Sequence, residues 1–202
     1  MDFIAGLVGG ISSSMPIGPI NLILLDMASR RSLAAPAFVS GVCLADGLLA
    51  GLTLWGALHI LLEPKVALAL AAVCASLLLI YGVISWKAKP TVNAPHISTV
   101  MVPAALGFSL CIFNPLFTVF WISYILGYKE IFAVSSVGIP GFVGGLITGD
   151  LIWFAVIGFI GVRFLSKKSP LVLNRLRRAT SVIVLMFSAY LFSVVVVRVF
   201  DV

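Results

Sequence analysis

Six apolar runs, each close to the length of a bilayer crossing, occupy nearly all of this 202-residue chain. They lie near 3–25, 36–61, 66–86, 102–126, 138–162 and 179–200. A membrane-spanning helix needs about 20 apolar residues, because inside hydrocarbon the backbone must satisfy its own hydrogen bonds. The runs are continuous, without the alternation of a membrane β-strand, so each reads as a helix. Too little remains for a catalytic domain outside the membrane, so no enzymatic activity is expected. With 61% hydrophobic and 10% charged residues, the composition is far from that of a water-soluble domain. The first run follows an acidic Met1-Asp2 rather than a basic segment, and so reads as a retained span, not a cleaved signal.

The charges sit between the runs and are distributed unequally. Arg30 and Arg31 follow the first run, Lys87 and Lys89 the third. Arg163, Lys167, Lys168, Arg175, Arg177 and Arg178 follow the fifth. The alternate connections and ends carry only Lys65, Lys129 and Arg198. The positive-inside rule then places the first, third and fifth loops in the cytoplasm and both termini outside. The net charge of +6 is thereby a matter of topology and anionic lipid headgroups, not of a nucleic-acid partner. Residues 169–178 predict a short amphipathic helix along the headgroups, with Ser169 as its cap and Pro170 in its first turn. Cys43, Cys74 and Cys111 show no C-x-x-C spacing and read as small buried hydrophobes. His59 and His96 read as interfacial. No dedicated metal site or cofactor is expected.

Two acids interrupt this pattern. Asp46 and Asp150 stand inside the second and fifth runs, where a charged side chain costs about 2.5–3.5 kcal/mol on insertion scales. Their surroundings match: a glycine stands five residues before each aspartate, in Gly41–Asp46 and Gly145–Asp150. Three spans repeated form an odd number, so a second copy enters the membrane upside down. The expected architecture is therefore all-α, a single transmembrane domain over 1–202. It is read as two inverted three-helix repeats, about 3–86 and 102–200, joined by a loop over 87–101.

Two prolines, Pro16 and Pro19, force a break in the first run between Met15 and Asn21. Asn114-Pro115 supplies the corresponding break in the fourth. Interrupted helices at membrane depth line cavities, and a resumed half-helix offers free N–H groups to an anion. Pro16, Gly18, Pro19, Asn21, Asn114 and Pro115 are thus candidate substrate-binding residues, with a carboxylate as the expected ligand. Asp46 and Asp150 can pair with a substrate amine, or carry a coupling proton; burial in low dielectric disfavours a charged carboxyl in general. Gly6, Gly10, Ser14 and Gly18 recur at every fourth position, and Gly141, Gly145 and Gly149 repeat the device. Such small-residue faces allow close helix packing and make a homodimer plausible.

The ordered set Pro16–Asn21, Arg30-Arg31, Gly41 to Asp46, Gly107-Phe108, Asn114-Pro115 and Gly149-Asp150 resembles the lysine-exporter superfamily. Together with the basic loop before the last span, it is most similar to the LysE/RhtB-type branch. The resemblance implies export of amino acids or similar small metabolites across the bacterial cytoplasmic membrane, driven by a proton or sodium gradient. It also implies that the two breaks form the central site and that Asp46 and Asp150 are its embedded acids. Many relatives have a contiguous Pro-Gly-Pro, whereas Ile17 separates Pro16 from Gly18 here. Two rival readings are an inorganic-cation exporter from another branch, and a non-transporting electron carrier or scaffold.

Overall fold

The structure, a computed structural model, describes residues 1–16, 18–30, 33–56, 63–87, 101–132, 137–166 and 168–200. Ile17, Arg31, His59, Lys89, His96 and Lys167 lie outside the described residues. Within them every regular element is helical: α1 Asp2–Ser14, α2 Pro19–Ser29, α3 Ala34–Trp55, α4 Pro64–Lys87, α5 Met101–Ile112, α6 Pro115–Ile131, α7 Ile139–Ile160 and α8 Pro170–Phe200. A π-helical turn, Gly161–Leu165, extends α7.

Proline sets most of these starts. Pro19, Pro36, Pro64, Pro103, Pro115, Pro140 and Pro170 each fall in the first turn of a helix, where the missing N–H has no intrahelical partner to lose. The two expected breaks follow from the same chemistry. α1 and α2 meet at 81°, and α5 and α6 at 60°, and each bent pair is together long and apolar enough for one broken span. α3, α4, α7 and α8 are each long and apolar enough to cross alone, which gives up to six spans. The helix expected at 169–178 is not separate. It forms the first turns of α8, because no glycine or proline stands between Leu171 and Phe200 to interrupt the helix. At 1.5 Å per residue, the 31 residues of α8 reach about 46 Å, beyond the roughly 30 Å hydrocarbon core.

α1 packs along α7, α3 along α5, and α4 along α8. The first two contacts depend on glycine. A Cβ on Gly6 would lie 2.9 Å from the Leu146 amide nitrogen, and one on Gly145 2.9 Å from that of Leu7. On the other pair, a Cβ on Gly41 would lie 2.9 Å from the Phe108 nitrogen, and one on Gly107 3.1 Å from the Phe38 carbonyl carbon. Backbone therefore meets backbone at both crossings, a separation only glycine permits. Large apolar side chains such as Ile152, Val156, Phe159, Ile183 and Met186 are exposed on the outer faces of α7 and α8, as lipid contact requires.

Each end of the bundle has its own polar clasp. At one end Arg30 grips Asp26 with Nη2, 2.8 Å from both carboxylate oxygens. Arg177, buried on α8, stands within electrostatic range of both, and Arg178 lies over the Trp86 ring at 5.7 Å. At the other end Asp2 accepts hydrogen bonds from Tyr128 Oη at 3.1 Å and from the Gly138 amide at 2.8 Å, joining α1, α6 and the start of α7.

Candidate functional site

The break after α1 places two hydroxyls where the two acids meet. Ser13 and Ser14 end α1, one turn beyond Gly10, whose close contact with α7 brings this end of the helix deep into the bundle. Successive helical residues point about 100° apart. Ser13 is thereby directed toward α3 and Ser14 toward α7. Ser14 Oγ donates to Asp150 Oδ1 at 2.6 Å, and Ser13 Oγ lies 3.1 Å from Asp46 Oδ2. Both carboxyls are 0% exposed.

Asp46 has further partners. Trp121 Nε1 donates to its Oδ1, and the Cys111 thiol lies 3.9 Å from the same atom. Asp150 is less well served, since its Oδ2 receives no hydrogen bond among the described residues. The two acids lie close enough to act on each other.

Ser13 is placed to tolerate either protonation state of Asp46. Its oxygen lies 2.9 Å from the Gly10 carbonyl oxygen as well as 3.1 Å from Asp46 Oδ2, yet a hydroxyl has one proton to donate. A charged Asp46 can receive that proton. A protonated Asp46 can instead donate to Ser13 Oγ, while the hydroxyl turns to the Gly10 carbonyl.

Asn21 holds the break together. Its Nδ2 donates to the carbonyls of Ser14 and Pro16 at 2.7 and 2.8 Å, and its Oδ1 accepts from Trp153 Nε1 at 3.2 Å. Both amide protons are thus engaged by backbone in this conformation rather than turned to a ligand. Asn114 is likewise occupied: its Oδ1 caps α6 by accepting from the Leu116 amide at 3.0 Å. α2 has no such cap. Its N-cap is Gly18, which has no side chain, and Pro19 follows. Pro19 has no N–H and the Leu22 amide donates to the Gly18 carbonyl at 3.1 Å, so the first-turn donors without a partner among the described residues are the amides of Ile20 and Asn21.

A cavity of about 390 Å³ opens over this segment. Pro16, Gly18, Pro19 and Asn21 line it from the first break and Asn114 from the second, with Pro115 beginning α6 beside it. Ser13 and Ser14 also reach its wall, whereas Asp46 and Asp150 do not. The hydroxyls therefore stand between the cavity and the acids. Phe117, Phe120, Phe154 and Phe187 make up much of the remaining wall. Among the described residues, no group of three or more His, Cys, Asp and Glu is placed to hold a metal ion.

The structure thus brings the eight sequence-predicted residues to one region, in two layers. Ser13, Ser14 and Trp121 complete it. Ser14 was legible only as a packing residue in a four-residue repeat. The signal available for the serines was their position, on consecutive residues just before the Pro16 break. The family model for LysE type translocators matches residues 11–194, a stretch that includes both breaks and both acids. No curated protein and no solved structure matches the chain.

Proposed function

Because this chain belongs to the LysE type translocator family, we propose that it is a secondary active exporter of amino acids or closely related small metabolites. It works in the bacterial cytoplasmic membrane, with both termini outside. The observation that carries this reading is the layering of the site: a ligand-sized cavity over an uncapped half-helix, with a buried pair of acids behind it.

The roles follow from the geometry. A substrate carboxylate binds the N–H groups of Ile20 and Asn21, which open α2 behind Pro19, itself without an N–H. Ser13 and Ser14 belong to the same broken segment, so movement of the break on binding shifts both hydroxyls relative to Asp46 and Asp150. A hydroxyl that serves a carboxylate or a carboxylic acid equally well favours a proton over sodium as the coupling ion. The acids lie outside the cavity wall, which favours proton carriage over pairing with a substrate amine.

Matched contacts support the reading of two inverted repeats. Gly6 sits against the backbone of Phe142 and Leu146, and Gly145 against that of Phe3 and Leu7. Exchanging the two halves turns these into Gly107 against Phe38, and Gly41 against Ala104 and Phe108, contacts which also occur. Under the same exchange α1 on α7 becomes α5 on α3, and α4 on α8 maps onto itself. Inverted repeats rocking about a midplane site are a recurrent basis of alternating access. The clasp of Asp26, Arg30 and Arg177 closes the cytoplasmic end in this state.

The test is efflux from proteoliposomes preloaded with a mixed amino-acid pool, with and without a pH gradient. Export should accelerate with the gradient, and Asp46→Asn or Asp150→Asn should abolish that acceleration while the protein still inserts. If both variants respond to the gradient as the unaltered protein does, the coupling assignment is wrong.

A further inference from the structure

We infer that the substrate is a carboxylate with an uncharged, apolar or aromatic side chain, not one with a cationic or acidic side chain. This inference rests on the export reading above and specifies the substrate class of that same cavity.

Among the described residues that line the cavity there is no Lys, Arg, His, Asp or Glu. Ser13 and Ser14 direct their hydroxyls at the acids behind them. Both Asn21 amide protons are bound to backbone carbonyls, and Asn114 Oδ1 caps α6. What remains for a ligand is an uncharged polar end, made of the first N–H groups of α2 and the Asn114 Nδ2 amide, and an apolar body beside it.

That body is supplied by four helices. Phe117 and Phe120 come from α6, Phe154 from α7 and Phe187 from α8, while Leu78 from α4 fills between them. The α-ammonium is common to all amino acids and cancels between them, but a lysine side chain would carry a second ammonium into the apolar body, where no counter-charge lines the wall. The acids that could neutralise it are 0% exposed and already bound by Ser13, Ser14 and Trp121. A phenyl face attracts a cation, but that attraction is weaker for Phe than for Trp and does not replace a counter-ion in a desolvated site. An acidic side chain meets the same obstacle with no aromatic compensation at all. An aliphatic or aromatic side chain has no such penalty and gains from contact with the rings.

The experiment uses the full chain in proteoliposomes preloaded with equal concentrations of phenylalanine, leucine, lysine and glutamate, with each efflux rate read by mass spectrometry. Phenylalanine and leucine should leave at least tenfold faster than lysine and glutamate, a ratio equivalent to about 1.4 kcal/mol. Lysine or glutamate leaving as fast as the apolar pair overturns this inference but leaves the export reading standing. If none of the four leaves, the export reading fails and this inference with it. As a second measurement, Phe187→Ala should lower the phenylalanine-to-lysine ratio several-fold. The ratio is internal to each vesicle preparation, so a lower yield of folded variant does not affect it. An unchanged ratio overturns the assignment of this wall to the substrate.

Discussion

Adjacent glycines on α7 offer a test of the packing that positions the acids. A methyl group added at Gly145 would lie 2.9 Å from the Leu7 nitrogen and closer still to the Phe3 carbonyl oxygen. Both are backbone atoms, which cannot rotate away, so α1 has to shift as a body. Overpacking of this kind costs about 1–3 kcal/mol, against roughly 1 kcal/mol gained by replacing glycine with alanine in a helix. At Gly144 nothing lies within 4 Å, so the same substitution keeps only the gain. For a chain of this size, 1 kcal/mol moves the melting temperature by about 2–4 °C. Gly145→Ala should therefore melt several degrees below the parent protein in detergent, and Gly144→Ala at or slightly above it, when scanned at one heating rate. Gly145→Ala should also impair export, because Asp150 is about one and a half turns further along the same helix. Shifts of equal sign and size at the two positions would refute the proposed approach of α1 to α7.

Removing the Ser14 hydroxyl leaves Asp150 without its described donor, and hydrogen bonds to charged groups contribute about 1.5–3 kcal/mol. Ser14→Ala should therefore slow gradient-driven export roughly 10- to 100-fold in proteoliposomes, while Ser14→Thr retains most of it. Asn21→Ala leaves the Ser14 and Pro16 carbonyls and Trp153 Nε1 without this partner, and should lower the melting temperature in detergent by several degrees. Replacing Cys43 and Cys74 by alanine and Cys111 by serine should leave export intact, since no disulfide joins them; loss of activity would favour a thiol-based carrier instead.

Much of this arrangement was legible because membranes punish exceptions. An acid inside an apolar run and a proline inside a helix are both costly, so Asp46, Asp150, Pro19 and Pro115 stood out before any coordinates. Their convergence followed from the matching order of features in the two halves. Other residues hid behind double meanings. Serine is both a small packing residue and a hydroxyl donor, and the repeat with Gly6 and Gly10 favours the first reading of Ser14. Asparagine before proline reads as a ligand in a broken span, yet Asn114 performs the ordinary task of capping a helix. The start of α8 looked separate because its amphipathic turns precede an apolar run, and composition alone cannot distinguish a bend there from one long helix. Asp26 stands at the margin of the first run, where an acid is unremarkable; only the fold brings Arg177 to it.

In the proposed mechanism, a buried carboxyl pair, linked by Ser13 and Ser14 to the break in the first span, transfers protons as substrate moves. Recording both fluxes in the same proteoliposomes, with a pH-sensitive dye and with labelled phenylalanine, tests it most directly. Proton movement opposite to substrate, in fixed proportion and absent in Asp150→Asn, is the predicted result. Sustained phenylalanine efflux against its gradient with no accompanying proton movement would contradict it.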